Sequence, residues 1–201
     1  MSFYYTHVKT SDYLPLDYLD YNFDCHNIDK FSMIPDQSLD LVILTNVLHH
    51  LYDPLLFLKN LKVKLKENAL IIILEPFISF FSKYIYYFHP KPLELNITEP
   101  KLLNQKGPLS SANSAIPYLI FFKNKQWGEI LRKDYYWDES SICYFSFLSY
   151  FLTGGISFKF KIPHFIYKFL FHIDNFFAMT FPSIFASFFE ITMTYKKKDD
   201  F

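Results

Sequence analysis

Two apolar runs, separated by a short amphipathic stretch, constrain the fold of this 201-residue chain more than any other feature. The runs are Leu39 to Thr45 and Ala69 to Phe77, and both are rich in residues that favour β-strands. Continuous rather than alternating apolarity is typical of parallel strands covered on both faces. We therefore expect a mostly parallel sheet with this buried centre: Leu41, Val42, Ile43, Leu44, Ile71, Ile72, Ile73 and Leu74.

The stretch between the runs has the signals of a helix. Asp53 and Pro54 supply an N-cap and a proline at the first helical position. Leucines then recur at helical spacing up to about Lys66, and Asn68 can adopt the left-handed conformation that often ends a helix. Strand, helix and strand within about 40 residues have the length of a βαβ unit, which predicts an α/β fold.

The remaining elements are less strongly marked. Residues 89–112 are rich in Pro, Asn, Lys and Ser and predict a long surface loop. The other predicted elements are, in chain order, short strands at His7–Ser11 and Tyr21–Asp24, helices at Ser79–Phe88, Asn113–Leu131 and His164–Phe181, a strand within Ser141–Tyr150, a turn at TGGISF, and a last strand at Phe185–Lys196.

Composition excludes several classes of function. Lys+Arg and Asp+Glu balance at 20 each, so there is no electrostatic case for a nucleic-acid partner. Cys25 and Cys143 lack metal-ligand spacing and are expected to be free thiols in a reducing compartment. The N-terminus lacks the pattern of a secretory signal, and no uncharged apolar run reaches the length of a membrane span. We expect a cytoplasmic protein, with peripheral membrane contact as an added expectation.

The run PDQSLDLVILTNVLHHLYDPLLFLKNLKVKLKENALIIILEP resembles the central block of class I S-adenosylmethionine-dependent methyltransferases. In that family an acidic turn leads into the fourth strand. After that strand come a short N-V-L-H-H-L helix, a D-P helix start, a basic helix and the fifth strand. The segments TSDYLPL, FDCHNIDKF, EPFISFFSKYIYYFHPKP, GPLSSANSAIPYLIFF and SYFLTGGISF extend the resemblance to a type 11-like subgroup linked with surface-polysaccharide pathways. KENA replaces the family's usual Lys-Pro-Gly-Gly turn.

The resemblance implies S-adenosylmethionine as cofactor and a Rossmann-like sheet that binds it at the carboxyl ends of the strands. Asp12, at the end of the second family strand, would accept hydrogen bonds from the ribose hydroxyls, or else it only begins a loop. Asp24 and Cys25 match the acidic-plus-small pair that contacts the adenine, with Asp29 as the competing candidate. Thr45 and Asn46 end the fourth strand. Asn46 would contact the amino-acid part of the cofactor, or only cap the following helix.

Three further polar residues have weaker assignments. His50 is the candidate general base, with a purely structural role as the alternative. Methyl transfer can proceed mainly by alignment of nucleophile and sulfonium, so a base is not strictly required. Glu75 would line the pocket, or else it would pack against neighbouring residues or cap a helix. His89 would contact the substrate. We assign no metal site.

The family's first strand and its glycine-rich turn, roughly G-x-G-x-G, have no counterpart, because the first glycine of the chain is Gly107. We expect an N-terminally truncated sheet that exposes unpaired edges. The three explanations are a fragment, the product of a decaying gene copy, or a missing part supplied by another chain.

We expect one methyltransferase-like domain over residues 1–201. Its parts would be a cofactor-side α/β core at 1–77, a helical and loop insertion on the substrate side at 78–184, and a final strand at 185–197. The predicted function is methyl transfer to a small molecule, a sugar or a lipid-linked glycan, with activity impaired by truncation. The alternative is a non-catalytic remnant or partner subunit. A membrane-surface role is a third hypothesis, because FKFKIPHFIYKFLFHIDNFFAMTF has the aromatic and lysine content of interfacial helices. The alternative is ordinary helix packing over the sheet in a Phe-rich protein.

Overall fold

A computed structural model of the chain describes residues 7–88, 93–102, 111–146 and 163–196. Its strands are β1 (Ser11–Asp12), β2 (Tyr21–Asn22), β3 (Leu39–Thr45), β4 (Leu65–Pro76), β5 (Tyr135–Tyr136), β6 (Cys143–Phe145) and β7 (Phe188–Tyr195). Its α-helices are α1 (Pro54–Leu61), α2 (Phe80–Phe88), α3 (Ala115–Tyr118), α4 (Lys125–Arg132), α5 (His164–Thr180) and α6 (Pro182–Phe185). Short 3₁₀ turns occupy Cys25–Lys30, Leu48–His50 and Glu139–Ser141, and a π-helical turn occupies Leu119–Lys123.

The strands form two sheets. In the larger sheet β3 pairs in parallel with β4, β7 pairs antiparallel with β4, and both β5 and β6 pair antiparallel with β7. The smaller sheet consists of β1 and β2, which are parallel. The α/β fold class is confirmed. The expectation of one mostly parallel sheet is wrong, because β7 reverses direction and β1–β2 make no ladder with β3 in the described part of the chain.

The βαβ unit forms as predicted at its start and shifts at its end. β3 has the predicted bounds, and the Asp53 carboxylate caps α1 by accepting the Leu56 N–H at 2.9 Å. α1 ends at Leu61 rather than near Lys66, because the chain turns early and begins β4 at Leu65. Asn68 does have a left-handed φ of 62°, but it lies inside β4, where the register with β3 shifts. The left-handed conformation of Asn68 therefore accommodates the irregular pairing of β4 with β3 and does not end a helix.

Burial of the central strands is one-sided. Ile71 and Ile73 are fully buried, whereas their neighbours Ile72 and Leu74 are half-buried and Ile43 is 36% exposed. The expectation that all eight central residues are buried is therefore wrong for this second face. Continuous apolarity predicts cover on both faces, but within the described residues only one face is fully covered.

The covered face packs against helices in one core. Leu58 and Leu61 of α1 and Ile116 of α3 are fully buried in the same cluster as the central strand residues. The buried hydroxyl of Tyr135 donates to the carbonyl of Leu58 at 2.6 Å, which joins β5 to α1. Burial, and after it the nearby Asp134 and Tyr195, raise the pKa of Tyr135 above its ordinary value, because burial and negative charge both disfavour the phenolate.

In the second half of the chain, most described elements lie close to their predicted positions. α2, α5 and β7 fall within one to three residues of their predicted bounds. The helical stretch predicted at Asn113–Leu131 is interrupted at Asn124, whose side chain accepts the Trp127 N–H and so begins α4. The strand predicted within Ser141–Tyr150 is present as β6. Its last four positions, the TGGISF turn and His89 lie outside the described residues.

We expect the two faces of β4 to differ in stability. Ile73→Ala should lower the free energy of unfolding by about 2–5 kcal/mol, since it leaves a cavity in a closed core. Ile72→Ala, one residue away on the half-buried face, should cost less than half of that. Urea denaturation of both variants checks this expectation. Equal costs would show that the second face is covered as well as the first.

Candidate functional site

The first predicted contact, Asp12, lies at the end of a paired strand. β1 and β2 are parallel, so Asp12 and Asn22 end them side by side. One carboxylate oxygen of Asp12 accepts the Leu14 N–H at 2.9 Å, and the side chain is exposed. Its other oxygen has no hydrogen-bond donor among the described residues, so it can accept bonds from a ligand.

The segment after β2 folds into the turn Cys25–Lys30, which Asp24 caps. Oδ1 of Asp24 accepts the His26 N–H at 3.0 Å and the His26 Nδ1–H at 2.9 Å. Burial and the neighbouring Asp24 charge raise the pKa of the Cys25 thiol to about 12, so it stays protonated. Cys25 is thus a small neutral neighbour of Asp24, as the predicted acidic-plus-small pair requires.

Asp24, Cys25 and His26 form a cluster of ligand-type atoms within 4.8 Å of one another. The arrangement does not suit a metal ion. Nε2 of His26 accepts the backbone N–H of Asp53 at 3.3 Å, and Nδ1 is bound to Asp24. Both ring nitrogens are therefore already engaged within the protein.

Asp29, the competing candidate for the adenine contact, lies on the same turn. Its Oδ1 atom is buried and has no hydrogen-bond partner within the described residues. A buried carboxylate oxygen without a partner is costly, which makes it a position where a ligand donor would be stabilising. Both candidates thus remain, five positions apart, Asp24 at the cap of the turn and Asp29 within it.

The turn after β2 packs directly on the segment after β3. Besides the His26–Asp53 contact, the Asn60 side-chain amide donates to the His26 carbonyl at 2.8 Å. The turn that follows β2 is therefore joined to α1, the helix that follows β3.

Asn46 follows β3 with a left-handed φ of 55° and is exposed. Its N–H donates to the Leu74 carbonyl at 2.9 Å, while its side chain makes no hydrogen bond to another described residue. Val47, not Asn46, precedes the Leu48–His50 turn at its N-cap. The capping alternative for Asn46 is wrong, and the exposed amide stays a predicted ligand contact beside the exposed Thr45.

Glu75 organises this strand end from beneath. Its carboxylate is fully buried and accepts three hydrogen bonds. Oε1 takes the N–H groups of Val47 and Leu48, and Oε2 takes the Nδ1–H of His49 at 2.6 Å. Of the alternatives for Glu75, the structure supports a cap of the turn rather than a pocket lining. Its charge also helps to raise the pKa of the nearby Tyr86, after burial itself.

The two histidines adjoin but have different partners. Their ring centroids are 4.2 Å apart, with His49 buried against Glu75 and His50 half-buried. Nδ1 of His50 contacts the Ser111 carbonyl at 3.2 Å. His49 is therefore structural, and the role of His50 as a base stays a prediction.

Asn113 is a site residue that the sequence did not reveal. Its N–H donates to the His49 carbonyl at 2.9 Å, and its side chain bonds both the N–H and the carbonyl of Glu94. Asn113 thus holds two loop segments against the turn that ends β3. One asparagine in a Ser-rich stretch carries no distinguishing signal.

Two cavities open on opposite ends of the sheet. One, of about 390 Å³, lies at the amino end of β4 and is lined by Asp36, Lys62 and Leu65 among others. The other, of about 440 Å³, begins at Ile78 and Ser79, just beyond the carboxyl end of β4. Its walls are apolar, and two lysines, Lys83 and Lys123, stand among them. Only the second cavity is at the end of the sheet where the predicted ligand contacts lie.

Comparison with known proteins agrees with this geometry. Residues 8–73 match the family described as a methyltransferase domain. That segment contains β1, β2, β3 and α1, and with them Asp12, Asp24 and Asn46. A methyltransferase domain implies S-adenosylmethionine as its cofactor, and the α/β fold described above agrees with the match. No curated protein matches the chain significantly.

Solved structures overlap the chain loosely. An SAM-dependent methyltransferase from Archaeoglobus fulgidus is 16% identical, with a TM-score of 0.43 over 88% of this chain and 66% of its own. A candidate methyltransferase from Bacillus halodurans is 11% identical, with a TM-score of 0.43 over 90% and 78%. MccD protein is 13% identical, with the same TM-score over 88% and 67%. The chain spans about two thirds of the length of the first and third, and the overlap is too loose to transfer any site.

We expect Glu75 to be decisive for folding. Glu75→Gln removes the charge and places an NH₂ group against one of its three donors. Each donor left unsatisfied costs about 1–3 kcal/mol, so the loss in unfolding free energy should be about 2–4 kcal/mol. Glu67→Gln, on the exposed part of the same strand, is the matched control and should be neutral. Urea denaturation measures both, and equal effects would contradict the assigned role.

Proposed function

We propose, from the premise that residues 8–73 carry a methyltransferase domain, that the chain transfers a methyl group from S-adenosylmethionine to a small-molecule or sugar acceptor. The observation that carries this proposal is the match of the domain to the segment that bears the predicted cofactor contacts. The geometry supports it, because the turn that bears Asp24 and Asp29 is hydrogen-bonded to the helix that follows β3.

The described residues fit the cofactor's three parts. A free carboxylate oxygen of Asp12 would accept from the ribose hydroxyls. The outer oxygen of Asp24, or the buried oxygen of Asp29, would accept from the adenine amino group. The exposed amide of Asn46, with Thr45 beside it, would hold the amino-acid part. When bound, the cofactor supplies an electrophilic methyl group.

The larger cavity at the carboxyl end of β4 is our proposed acceptor site. Lys83 and Lys123 give it a positive rim over apolar walls, and Lys123 lies 5.8 Å from the centre of the Tyr118 ring. These features suit an acceptor with an anionic group and an apolar or sugar body. An acceptor from a surface-polysaccharide pathway, as the subgroup resemblance implies, would have that chemistry.

His50 is the proposed proton acceptor for a hydroxyl nucleophile. The contact of Nδ1 with the Ser111 carbonyl requires that Nδ1 carry the proton in the neutral ring. Nε2 is then the basic nitrogen. Alignment of acceptor and methyl donor remains the main contribution of the chain, and His50 adds to it only for acceptors that must lose a proton.

We further propose that this sheet needs one more strand for full activity. The outer edge of β3 has no strand partner among the described residues, and Ile43 on that strand is 36% exposed. A parallel strand on this edge would lie between β3 and the detached β1–β2 pair. A glycine-rich turn after it would let the cofactor's amino-acid end approach the backbone closely.

Binding of S-adenosylhomocysteine tests this proposal. We expect weak or no binding by the 201-residue chain, because several backbone hydrogen bonds to a charged ligand, at about 1.5–3 kcal/mol each, are missing. Their loss should weaken binding by about two orders of magnitude or more. Fusion of a strand, glycine-rich turn and helix ahead of residue 1 should restore binding in calorimetric titration. Micromolar binding by the unfused chain would refute the need for completion.

Asp12→Ala in the completed protein tests the ribose contact. We expect affinity for S-adenosylhomocysteine to fall about tenfold or more, since two hydrogen bonds to a charged acceptor are lost. Asp17→Ala, an exposed aspartate on the adjoining loop, is the matched control and should bind normally. Loss of affinity in both variants would indicate a general charge effect rather than a ribose contact.

A non-catalytic partner subunit is the second candidate. The free edge of β3 favours it, because a subunit completed by another chain would show the same edge. In that case the fused protein would bind S-adenosylhomocysteine no better than the chain alone. A homologous complete subunit would instead bind the chain through β3.

A further inference from the structure

We propose that α2, α5 and α6 form a docking surface for an anionic lipid bilayer. The inference begins with the exposure of α5. Phe165, Phe169 and Phe176 are 73%, 65% and 63% exposed, which is unusual for phenylalanine. The exposed aromatic residues of α2, which include Tyr84 and the 78% exposed Tyr87, belong to the same surface.

The apolar stripe of α5 faces outward. At 100° per residue, Phe165, Phe169 and Phe176 lie within about 40° of one another on the helix. Asp174 and Ala178, on the opposite side, are the buried residues of this helix. An ordinary surface helix buries its apolar stripe and exposes its polar side. α5 instead exposes its apolar stripe and buries its acidic residue, so the exposed stripe needs an apolar partner.

Ring contacts join the three helices into one surface. Phe185 of α6 lies 5.5 Å from Phe81 of α2 and 5.2 Å from Phe177 of α5, measured between ring centroids. We call the result the aromatic surface. Its exposed aromatic members include Phe80, Tyr84 and Tyr87 of α2 and Phe165, Phe169 and Phe176 of α5.

The charges of this surface decide what covers it. Lys83 of α2 and Lys168 of α5 are exposed, as are His164 and His172. Asp174 is the one acidic residue in these three helices, and it is buried. A second copy of the chain would bring lysine against lysine across the interface. A bilayer with anionic headgroups offers phosphate to the lysines and an acyl boundary to the phenylalanines.

The dimensions fit a helix that lies in the interface. α5 has 17 residues and is about 26 Å long. None of the described helices is long and apolar enough to cross a membrane. Aromatic side chains concentrate at the headgroup level of bilayers, where rings are apolar on one side and hydrated on the other.

The aromatic surface also meets the proposed acceptor cavity, and this step alone rests on the proposed function. Phe80 of this surface and Lys83, three residues further along α2, line the cavity of about 440 Å³. An acceptor anchored in the bilayer could therefore present its head group to Lys83 and Lys123 while its lipid stays in the membrane. A lipid-linked acceptor is the class that this arrangement favours.

Vesicle flotation of the full chain tests the docking surface, without cofactor or acceptor. We expect the chain to float with phosphatidylcholine vesicles that contain phosphatidylglycerol, and to bind less at high salt. The triple variant Phe165→Ser, Phe169→Ser, Phe176→Ser should reduce the partition coefficient about tenfold or more. Lys168→Glu should reduce it for anionic vesicles in particular.

The control variant removes exposed apolar side chains elsewhere: Tyr18→Ser, Met33→Ser, Tyr136→Ser. It should float like the wild type, and urea denaturation should confirm that all variants are folded. Absence of flotation by the wild type, or flotation that the triple variant leaves unchanged, would overturn the proposal. A wild-type dimer in light scattering that the triple variant dissociates, with no flotation, would instead assign the surface to a second copy. Failed cofactor binding would not affect any of these readouts.

Discussion

The buried carboxylate of Glu75 is the interaction on which the predicted site depends. It stands at the end of β4 and binds two backbone N–H groups and one imidazole of the segment that follows β3. A fully buried charge is tolerated only when its hydrogen bonds are complete. The turn after β3 must therefore keep the shape that satisfies Glu75. That shape places Asn46 in a left-handed conformation with its amide outward, and it turns His49 inward.

Loops carry this arrangement further. Asn113 binds the carbonyl of His49 and both backbone groups of Glu94, while Lys101 pairs with the capping carboxylate of Asp53 at 3.3 Å. The hydrogen bond to Asp53 and the nearby charges of Asp53 and Glu99 raise the pKa of Lys101. Residues distant in sequence thus meet around the end of β3. A polar network of this kind rigidifies a site only if every polar group in it has its hydrogen-bond partners. Glu75 accepts three of the hydrogen bonds in this network.

The parts of the fold that depend on local signals could be predicted from sequence. The bounds of β3 follow from continuous apolarity, and the start of α1 follows from the Asp53–Pro54 pair. The one-sided burial of β4 could not be predicted, because the identity of an apolar residue such as Ile72 does not reveal whether another element covers it. The partners of Glu75 could not be predicted either, since they follow from the register of β3 against β4. Asn68 is an intermediate case. Its left-handed backbone was predicted, but it was predicted at the end of a helix and lies inside β4.

The position of β7 has a consequence for how the chain acquires its structure. β7 is the strand to which β4, β5 and β6 all pair, yet it follows every other described strand and helix in the sequence. During synthesis, the edges of β4, β5 and β6 that pair with β7 stay open until β7 itself has been made. Pairings between distant segments form slowly and leave apolar edges open to aggregation. The growing chain should therefore depend on chaperones far more than the finished protein does.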